Sequence, residues 1–502
     1  MTRPMKLTEL FAGMDLAVPE VSVTDITTNS QSARRGGLFL ACGGRRSHGL
    51  AFLHEALAAG IATVAWEPVD GCDGPELPAG IIGLCVPGLG AKLGVIADRF
   101  FARPSAQLSV TGVTGTNGKS TVAYLVAQAL NRLSQTAGYM GTLGYGIGTD
   151  LTASSLTTPG CVTVHRRLRE MAAAGARHVI MEVSSHALDQ QRVAGVRFRT
   201  AALTNVSRDH LDYHGSMESY AETKARLFTG TGIHTAVINV GDRYGAQLAG
   251  RLANGPANGN PAELMTVALV NTEAEPDVRL IGRLQGARAD GIGLKLGGDF
   301  GTATLDSSLW GRFNAENLIV ATGILLAVGC ELDAAVAALG DSVAPPGRME
   351  LIRGAAAGPT VIVDYAHTPD ALGKALEAVR EHTSGQVWCV FGCGGNRDRG
   401  KRATMGAVAA ELADRSIVTN DNPRDEDPQA IIADIVAGLA DADEIDVIDD
   451  RADAIDFAIR SARADDVILI AGKGHEAWQW IGGDVRAFSD AATARAALGR
   501  MA

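Results

Sequence analysis

Aromatic side chains make up only 5% of this 502-residue chain, and no uninterrupted apolar run approaches the length that spans a bilayer. The second absence argues against a helical membrane protein, and no membrane partner is expected. An excess of positive charge is also missing: 45 Lys and Arg stand against 56 Asp and Glu, a net charge of −11. Binding to a phosphate backbone leaves a basic footprint, so no nucleic-acid partner is expected. Cysteine is sparse, with seven residues at scattered spacings; an odd, irregular set fits free thiols in a reducing compartment, not a disulfide framework. The first residues, MTRPMKLTELFAGMDL, contain no continuous apolar stretch of the kind found in export signals, and the expected location is cytoplasmic. What the chain does have is 60 glycines and 46% apolar residues, a composition suited to α/β packing from small and branched side chains. Its length implies more than one domain.

The most informative stretch is GVTGTNGKSTVAYLVAQAL, residues 112–130. A short apolar strand over 108–113 leads into a loop ending Gly118-Lys119-Ser120-Thr121, and a helical pattern follows. Small residues there let backbone N–H groups close on phosphate oxygens while the helix N-terminus favours negative charge. Lys119 is placed to reach the β- and γ-phosphates, and the Ser120 hydroxyl to hold magnesium. The strict motif needs glycine at 113, where Val113 stands; Gly112, Gly115 and Gly118 make this a variant phosphate loop for a nucleoside triphosphate, with Thr116 and Asn117 between them.

Proline-bearing junctions at 103–105 and 343–347 divide the chain. Before the first lie strand-like pieces at 37–41 and 62–66, a helical piece at 52–59, and a helix around 93–101. A helix over 314–328 precedes the second. Beyond it, strands at 361–363, 387–391, 416–419 and 467–471 alternate with helices, which predicts a parallel, helix-covered sheet. Residues 251–306, rich first in Asn, Gly and Pro and then in short alternating runs, read as a small β insertion.

A second constellation follows the phosphate loop. A strand at 178–181 ends in Glu182-Val183-Ser184-Ser185-His186, and 203–205 leads to Arg208-Asp209-His210-Leu211-Asp212-Tyr213-His214. In parallel sheets, ligand-binding groups collect at the carboxyl ends of strands, where Glu182 and His210 are expected. Glu182 suits magnesium. The His210-x-Asp212-x-His214 spacing equally suggests zinc, or Asp212 and His214 merely cap a turn.

The set of motifs resembles the Mur ligase family, ATP-dependent ligases that build the peptide stem of peptidoglycan precursors. It comprises GVTGTNGKST, LTTPG (156–160), MEVSSHAL (181–188), TNVSRDHLDYHG (204–215), YAETKARLF (220–228), FNAENLIVA (313–321), PGRMELI (346–352), DYAHTPDAL (364–372), FGCGGNRDRGKR (391–402) and AGKGHE (471–476), in order. The members most resembled are those that form the tripeptide. The resemblance implies an α/β chain of three domains. These are a small uridine-nucleotide domain over 1–104, a central ATP-binding domain with a parallel sheet and a β insertion over 105–344, and a C-terminal Rossmann-like domain over 345–502 that binds the incoming amino acid. It implies ATP and Mg2+, and a monomer is expected. Lys224, which on its own reads as a solvated surface charge, takes the place of a carbamylated lysine. As an anion it would share a metal centre with Ser120, Glu182 and His210. Asn317, Arg348 and Asp364 would contact ATP; His367 is either a further contact or a structural residue of its turn. The chemistry implied is phosphorylation of a substrate carboxylate by ATP, then attack of an amine on the acyl phosphate.

The resemblance also assigns substrate residues. Asp421-Asn422-Pro423-Arg424 accompanies members that add meso-diaminopimelate, whereas lysine-adding members lack the arginine. A guanidinium fork reads a carboxylate bidentately, and diaminopimelate has a distal carboxylate that lysine lacks. Read alone, the same run is a turn with an exposed cation. Arg397 and Arg424 would serve carboxylates and Glu476 the distal ammonium, with Gly472 giving backbone access. Thr157, Thr158, Ser184, Gln190 and Arg192 would contact a UDP-N-acetylmuramoyl dipeptide. The match is loosest in the first domain. Thr28-Asn29-Ser30-Gln31 keeps Ser30 and loses the family's arginine, and Arg45-Arg46-Ser47 either clasps a pyrophosphate or is a solvated loop. A lysine-adding ligase, a folylpolyglutamate synthase-like ligase and a nucleotide-dependent switch are the competing readings.

Overall fold

The computed structural model describes residues 3–44, 47–68, 74–229, 232–255, 262–270, 278–354, 358–439 and 445–501. Its contacts divide the chain into two compact units, Met1–Lys119 with Leu130–Met265, and Ser120–Ala129 with Thr266–Ala502. The sequence reads as three domains. The first unit takes in residues 1–104 and much of the expected central domain, whereas 120–129 and 266–344 of that domain fall in the second. Inside the first unit the two parts are joined by side chain and backbone. Arg166 on the helix Cys161–Ala173 donates to Asp25 Oδ1 and to the Ile26 carbonyl, both at 2.8 Å. Gly94 on the helix Leu89–Phe100 lies directly against the Ala194 backbone.

The first unit holds two sheets. Ile26–Thr27, Leu38–Ala41, Thr63–Trp66 and Ile82–Cys85 form a parallel four-stranded sheet in that order. In the second sheet, Ala137–Gly141, His178–Glu182, Ser109–Thr114, Thr200–Leu203 and Thr235–Asn239 lie side by side and parallel where their registers are defined. Antiparallel strands Gly144–Ile147 and Asp150–Thr152 extend the edge. The strand Ser109–Thr114 is near-continuously buried because both faces are covered, as parallel sheets require. Val113, the departure from the strict loop motif, lies fully buried in this strand and is paired in register with Glu182.

In the second unit, the meander Leu280–Arg288, Gly291–Gly298, Ala303–Ser307 realises the expected β insertion, and the helices Arg312–Ala327 and Leu332–Gly340 pack on it. A six-stranded sheet runs in the order Glu350–Ile352, Thr360–Asp364, Val467–Ala471, Val387–Phe391, Arg415–Val418, Ile445–Val447. All of it is parallel except Glu350–Ile352, an antiparallel edge strand that the alternation did not reveal. Strand residues alternate faces. Val467, Leu469 and Ala471 pack with the helices Pro369–Arg380, Gly400–Leu412 and Pro428–Val436, while Ile468 and Ile470 pack with Arg451–Ser461 and Asp490–Gly499. The sheet is thus covered on both faces, and its carboxyl edge is left to loops.

Candidate active site

The phosphate loop follows Ser109–Thr114 and runs into the helix Lys119–Arg132. Gly115 has φ of 150°, and a Cβ there would come within 1.9 Å of Thr204 Oγ1, so only glycine lets the loop pass this point. Residues 204–207 strap the loop. Thr116 N donates to the Asn205 carbonyl at 2.8 Å and Asn117 N to Asn205 Oδ1 at 3.0 Å. The Thr204 hydroxyl donates to the Asn117 carbonyl at 2.6 Å. Lys119 Nζ folds back on the loop's own carbonyls, Gly115 at 3.0 Å and Thr116 at 2.8 Å. Ser120 and Thr121 are buried in the first turn of the helix, and Gly118 has φ of 82°.

Glu182 is the last residue of its strand and is fully buried. Its Oε1 accepts from the Tyr139 hydroxyl at 2.5 Å and from Thr142 N at 2.9 Å, and its Oε2 from the Thr142 hydroxyl at 3.2 Å. These donors fix the Glu182 side chain beside the loop, since Glu182 pairs in register with Val113. Residues from before and after this strand gather with it. The Thr158 hydroxyl donates to the Glu182 carbonyl at 2.8 Å and accepts from Ser184 N at 3.1 Å. Thr157 and Thr142 share a hydroxyl contact at 3.0 Å. Arg192 Nη1 donates to the Thr158 carbonyl at 2.9 Å, and Arg192 also grips Gln190 Oε1. Ser184 caps the short helix Ser185–Asp189.

His210 is not at a strand end. It stands beyond Thr200–Leu203, in the left-handed conformation at the start of Leu211–His214, because residues 204–207 are used as the strap. Its ring packs edge-on against His186 at 4.9 Å, and His214 and Tyr213 complete an aromatic group around His186. Desolvation, then the neighbouring His210, pulls His186 down to about 4. Asp212 sits in the first turn of the short helix, which has no side-chain cap bond at its start, and His214 Nε2 meets the Ser185 hydroxyl at 3.0 Å.

Lys224 corrects its surface appearance in the sequence. It is 2% exposed on the helix Met217–Ala225, and its Nζ donates to the Gly115 carbonyl at 2.6 Å and lies 4.3 Å from the Tyr220 ring centre. Desolvation pushes this amine well below its ordinary value; the Lys119 charge pushes the same way, and Asp209 opposes. Among the described residues, no three His, Cys, Asp or Glu side chains converge as a metal site.

In the second unit, the carboxyl ends of the six-stranded sheet bring together most of the other sequence-singled residues, as expected of an open α/β sheet. Asp364 ends its strand, accepting from Met349 N and Ala366 N, both at 2.8 Å. Desolvation raises its carboxyl, opposed first by Arg348, whose guanidinium lies 4.6 Å over the Tyr365 ring. His367 bonds through Nδ1 to the Tyr365 carbonyl at 2.8 Å, within its own turn. Asn317, buried on Arg312–Ala327, donates to Asn314 Oδ1 at 3.0 Å. Arg397 is exposed on the loop after Val387–Phe391.

Residues 421–424 follow Arg415–Val418, with Asp421 and Asn422 buried. Arg424 adopts φ of 55°, a region costly for a side-chain-bearing residue. It is held there by the hairpin Trp478–Ile481 with Asp484–Ala487: Arg424 N donates to the Trp480 carbonyl at 3.0 Å and Gly482 N to the Arg424 carbonyl at 2.7 Å. Its Nη1 donates to the Gly395 carbonyl at 2.7 Å. Asn422 Nδ2 donates to Glu476 Oε2 at 2.8 Å, and Gly472 N to the Asp364 carbonyl at 3.1 Å. Desolvation raises the Asp421 carboxyl, opposed by Arg451 and Lys473.

In the N-terminal sheet region, Ser30 donates to Glu55 Oε2 at 2.7 Å, while Thr28 and Ser47 are exposed. Arg45 and Arg46 lie outside the described residues. Sequence reasoning missed Tyr139, Thr142 and the hairpin that clamps Arg424. The last carried a signal, Gly482-Gly483 between alternating residues, a two-residue hairpin turn.

Comparison with known proteins bears directly on this arrangement. The chain is 46% identical over 495 residues to a protein of Pseudomonas aeruginosa named UDP-N-acetylmuramoyl-L-alanyl-D-glutamate--2,6-diaminopimelate ligase, covering 99% of this chain and 98% of the relative. The chain belongs to the Mur ligase family. The Mur ligase middle domain matches residues 113–325 and the Mur ligase glutamate ligase domain residues 347–474. A ligase of the same name from Alkalilimnicola ehrlichii is 46% identical, covering 95% of each chain. A solved structure with that name aligns with a TM-score of 0.71 at 34% identity, covering 99% of both chains. A folylpolyglutamate synthase from Mycobacterium tuberculosis aligns with a TM-score of 0.60 at 21% identity, covering 76% of this chain and 92% of that one, a likeness of fold alone. As a Mur ligase, the chain is an ATP-dependent peptide ligase. Among its described residues no helix is long and apolar enough to cross a membrane.

Proposed function

We propose that this Mur ligase adds meso-diaminopimelate to UDP-N-acetylmuramoyl-L-alanyl-D-glutamate, as the names of its relatives say of them, and that it acts as a cytoplasmic monomer of three domains, 1–104, 105–344 and 345–502. The observation that carries the third substrate is Arg424, fixed in a left-handed turn beside the buried Asp421, with Asn422 bonded to Glu476. Such a constellation offers a guanidinium to one end of a diamino diacid and carboxylates to its ammonium.

The substrate carboxylate attacks the γ-phosphorus of ATP, and ADP leaves with the bridging oxygen. The amine of diaminopimelate then attacks the acyl phosphate, loses a proton, and expels inorganic phosphate. Gly115 and Gly118 present backbone N–H groups to the phosphates, Thr116 and Asn117, whose own N–H groups are held by Asn205, shape the loop, and Lys119 turns from its loop carbonyls onto the transferring group. Asn317, Arg348 and Asp364 bind the nucleotide. Thr157, Thr158, Ser184, Gln190 and Arg192, with Thr28, Ser30 and Ser47, bind the UDP substrate; Arg45 and Arg46 join them in the loop reading that favours pyrophosphate.

The donor set fits magnesium. Hard carboxylate and hydroxyl oxygens predominate, and Mg2+ is ordinarily held by one or two carboxylates and substrate phosphates, so a convergent triad is not required. Ser120, Glu182, His210 and a carbamylated Lys224 would hold it. When bound it neutralises phosphate charge during transfer. The lowered basicity of Lys224 supports the modification, since only the neutral amine adds CO2, releasing one proton.

Amino-acid-dependent phosphate release, measured with the UDP dipeptide and meso-diaminopimelate or L-lysine, tests the reading. The wild type is expected to prefer diaminopimelate, and Arg424→Ala to lose about 2–5 kcal/mol of that preference. Its KM for ATP stays unchanged. A wild type that prefers lysine overturns the assignment.

A further inference from the structure

Beneath the amino-acid loop stands a cation that neither the motif reading nor the mechanism uses. Lys473 follows the strand Val467–Ala471 and its side chain is fully buried. A buried ammonium is costly unless it is paired and hydrogen-bonded. Both of its side-chain partners belong to the proposed diaminopimelate site: Nζ lies 3.1 Å from Asn422 Oδ1 and 3.1 Å from Glu476 Oε2. Asn422 closes the triangle, donating through Nδ2 to the same Glu476 Oε2 at 2.8 Å, while its Oδ1 also accepts from Trp480 N at 3.0 Å. The Lys473 carbonyl accepts from Glu476 N at 3.0 Å, so backbone and side chain fix the same pair.

Two donors therefore occupy Oε2 of Glu476, which leaves Oε1 as the oxygen suited to an incoming ammonium. Charge points the same way. Asp421 and Glu476 are like charges that act on one another here, and Lys473 opposes that repulsion together with Arg451, which is itself tied up bidentately with Asp490. Without Lys473, nothing of positive charge within bonding distance holds Glu476 among the described residues.

We infer that Lys473 is a positioning residue that sets the specificity of this ligase for its amino-acid substrate, by locking Glu476 and Asn422 in the geometry that receives the distal ammonium. This rests on the function proposed above. It makes Lys473 act through Glu476, never on the substrate directly.

The experiment is steady-state phosphate release by the full-length protein with each of the three substrates varied in turn. Lys473→Met is expected to raise KM for meso-diaminopimelate about tenfold to a hundredfold, with KM for ATP and for the UDP dipeptide unchanged. Lys473→Arg, which keeps the charge, is expected to recover part of the loss. In a Glu476→Gln background the same Lys473→Met change is expected to add little, because its route of action is already gone. Should Lys473→Met fail to fold by circular dichroism, Lys473→Gln carries the same comparisons. A wild-type KM for diaminopimelate in Lys473→Met, a parallel rise in all three KM values, or full additivity with Glu476→Gln overturns the inference. A wild type that releases no phosphate with meso-diaminopimelate overturns the function reading instead, and the two failures are told apart by that control.

Discussion

Lys224 shows what a single residue's surroundings add to its motif. On a polar helix in sequence it resembles any solvated lysine, yet its amine is buried against the Gly115 carbonyl, with its basicity lowered by desolvation and then by Lys119. Beside the Lys119 ammonium, an unmodified amine at Lys224 would offer no anionic ligand to a metal. The carbamylation proposed above would supply that anion. Lys224→Ala is expected to lose activity by about 10²–10³-fold, and short-chain carboxylic acids added to the assay are expected to restore part of it. Phosphate release with and without acetate or formate is the measurement; full activity without rescue would reduce Lys224 to a packing residue. Periodicity could not reveal its burial, because the helix face it occupies is covered by a loop distant in sequence. Glu182 was legible, since a carboxylate ending an apolar strand near a phosphate loop has few other reasons to be there. The partners that orient it, Tyr139 and Thr142, carry no local signal and become visible only through strand register.

At the scale of elements, legibility follows burial on two faces. The strands Val387–Phe391 and Val467–Ala471 are continuous apolar runs and stand where the sequence puts them. Glu350–Ile352 and the hairpin Trp478–Ile481 with Asp484–Ala487 are short, partly exposed and at edges, so no apolar run marks them. Packing between elements is even less visible. Gly94 reads as one weak point in a helix, but a Cβ there would stand 2.6 Å from the Ala194 carbonyl carbon and 2.7 Å from its oxygen. Backbone cannot rotate aside as a side chain can. Gly94→Ala is therefore expected to destabilise the first unit by about 1–3 kcal/mol, against the small gain alanine normally brings to a helix. Urea unfolding would register this as a lower midpoint with unchanged slope. An equal or higher midpoint would mean that the helix Leu89–Phe100 shifts freely against residues 194–195.

For the molecule as a whole, buried histidines tie stability to pH. His165 in the first unit and His382 in the second are both pulled below their ordinary value, each chiefly by desolvation. The His165 ring meets the Ala194 carbonyl at 2.9 Å through Nε2, so that nitrogen carries hydrogen, and Nδ1 lies 3.9 Å from Asp98. In His382, Nε2 accepts from Gly311 N at 3.0 Å, a bond that protonation removes. Since the folded values are depressed, the unfolded chain takes up protons first as pH falls. The contribution is complete above the unfolded value near 6.5 and is lost as pH drops through the folded ones. Asp364 and Asp421 act oppositely, because their raised carboxyls cost stability at neutral pH and recover it on acidification. A single variant separates the signs. His165→Gln keeps a donor for the Ala194 carbonyl but cannot titrate. Its urea midpoint is expected to fall less than the wild type's between about pH 7.5 and about pH 5.5. An identical fall in both proteins would assign the acid response to other groups and leave His165 as packing alone.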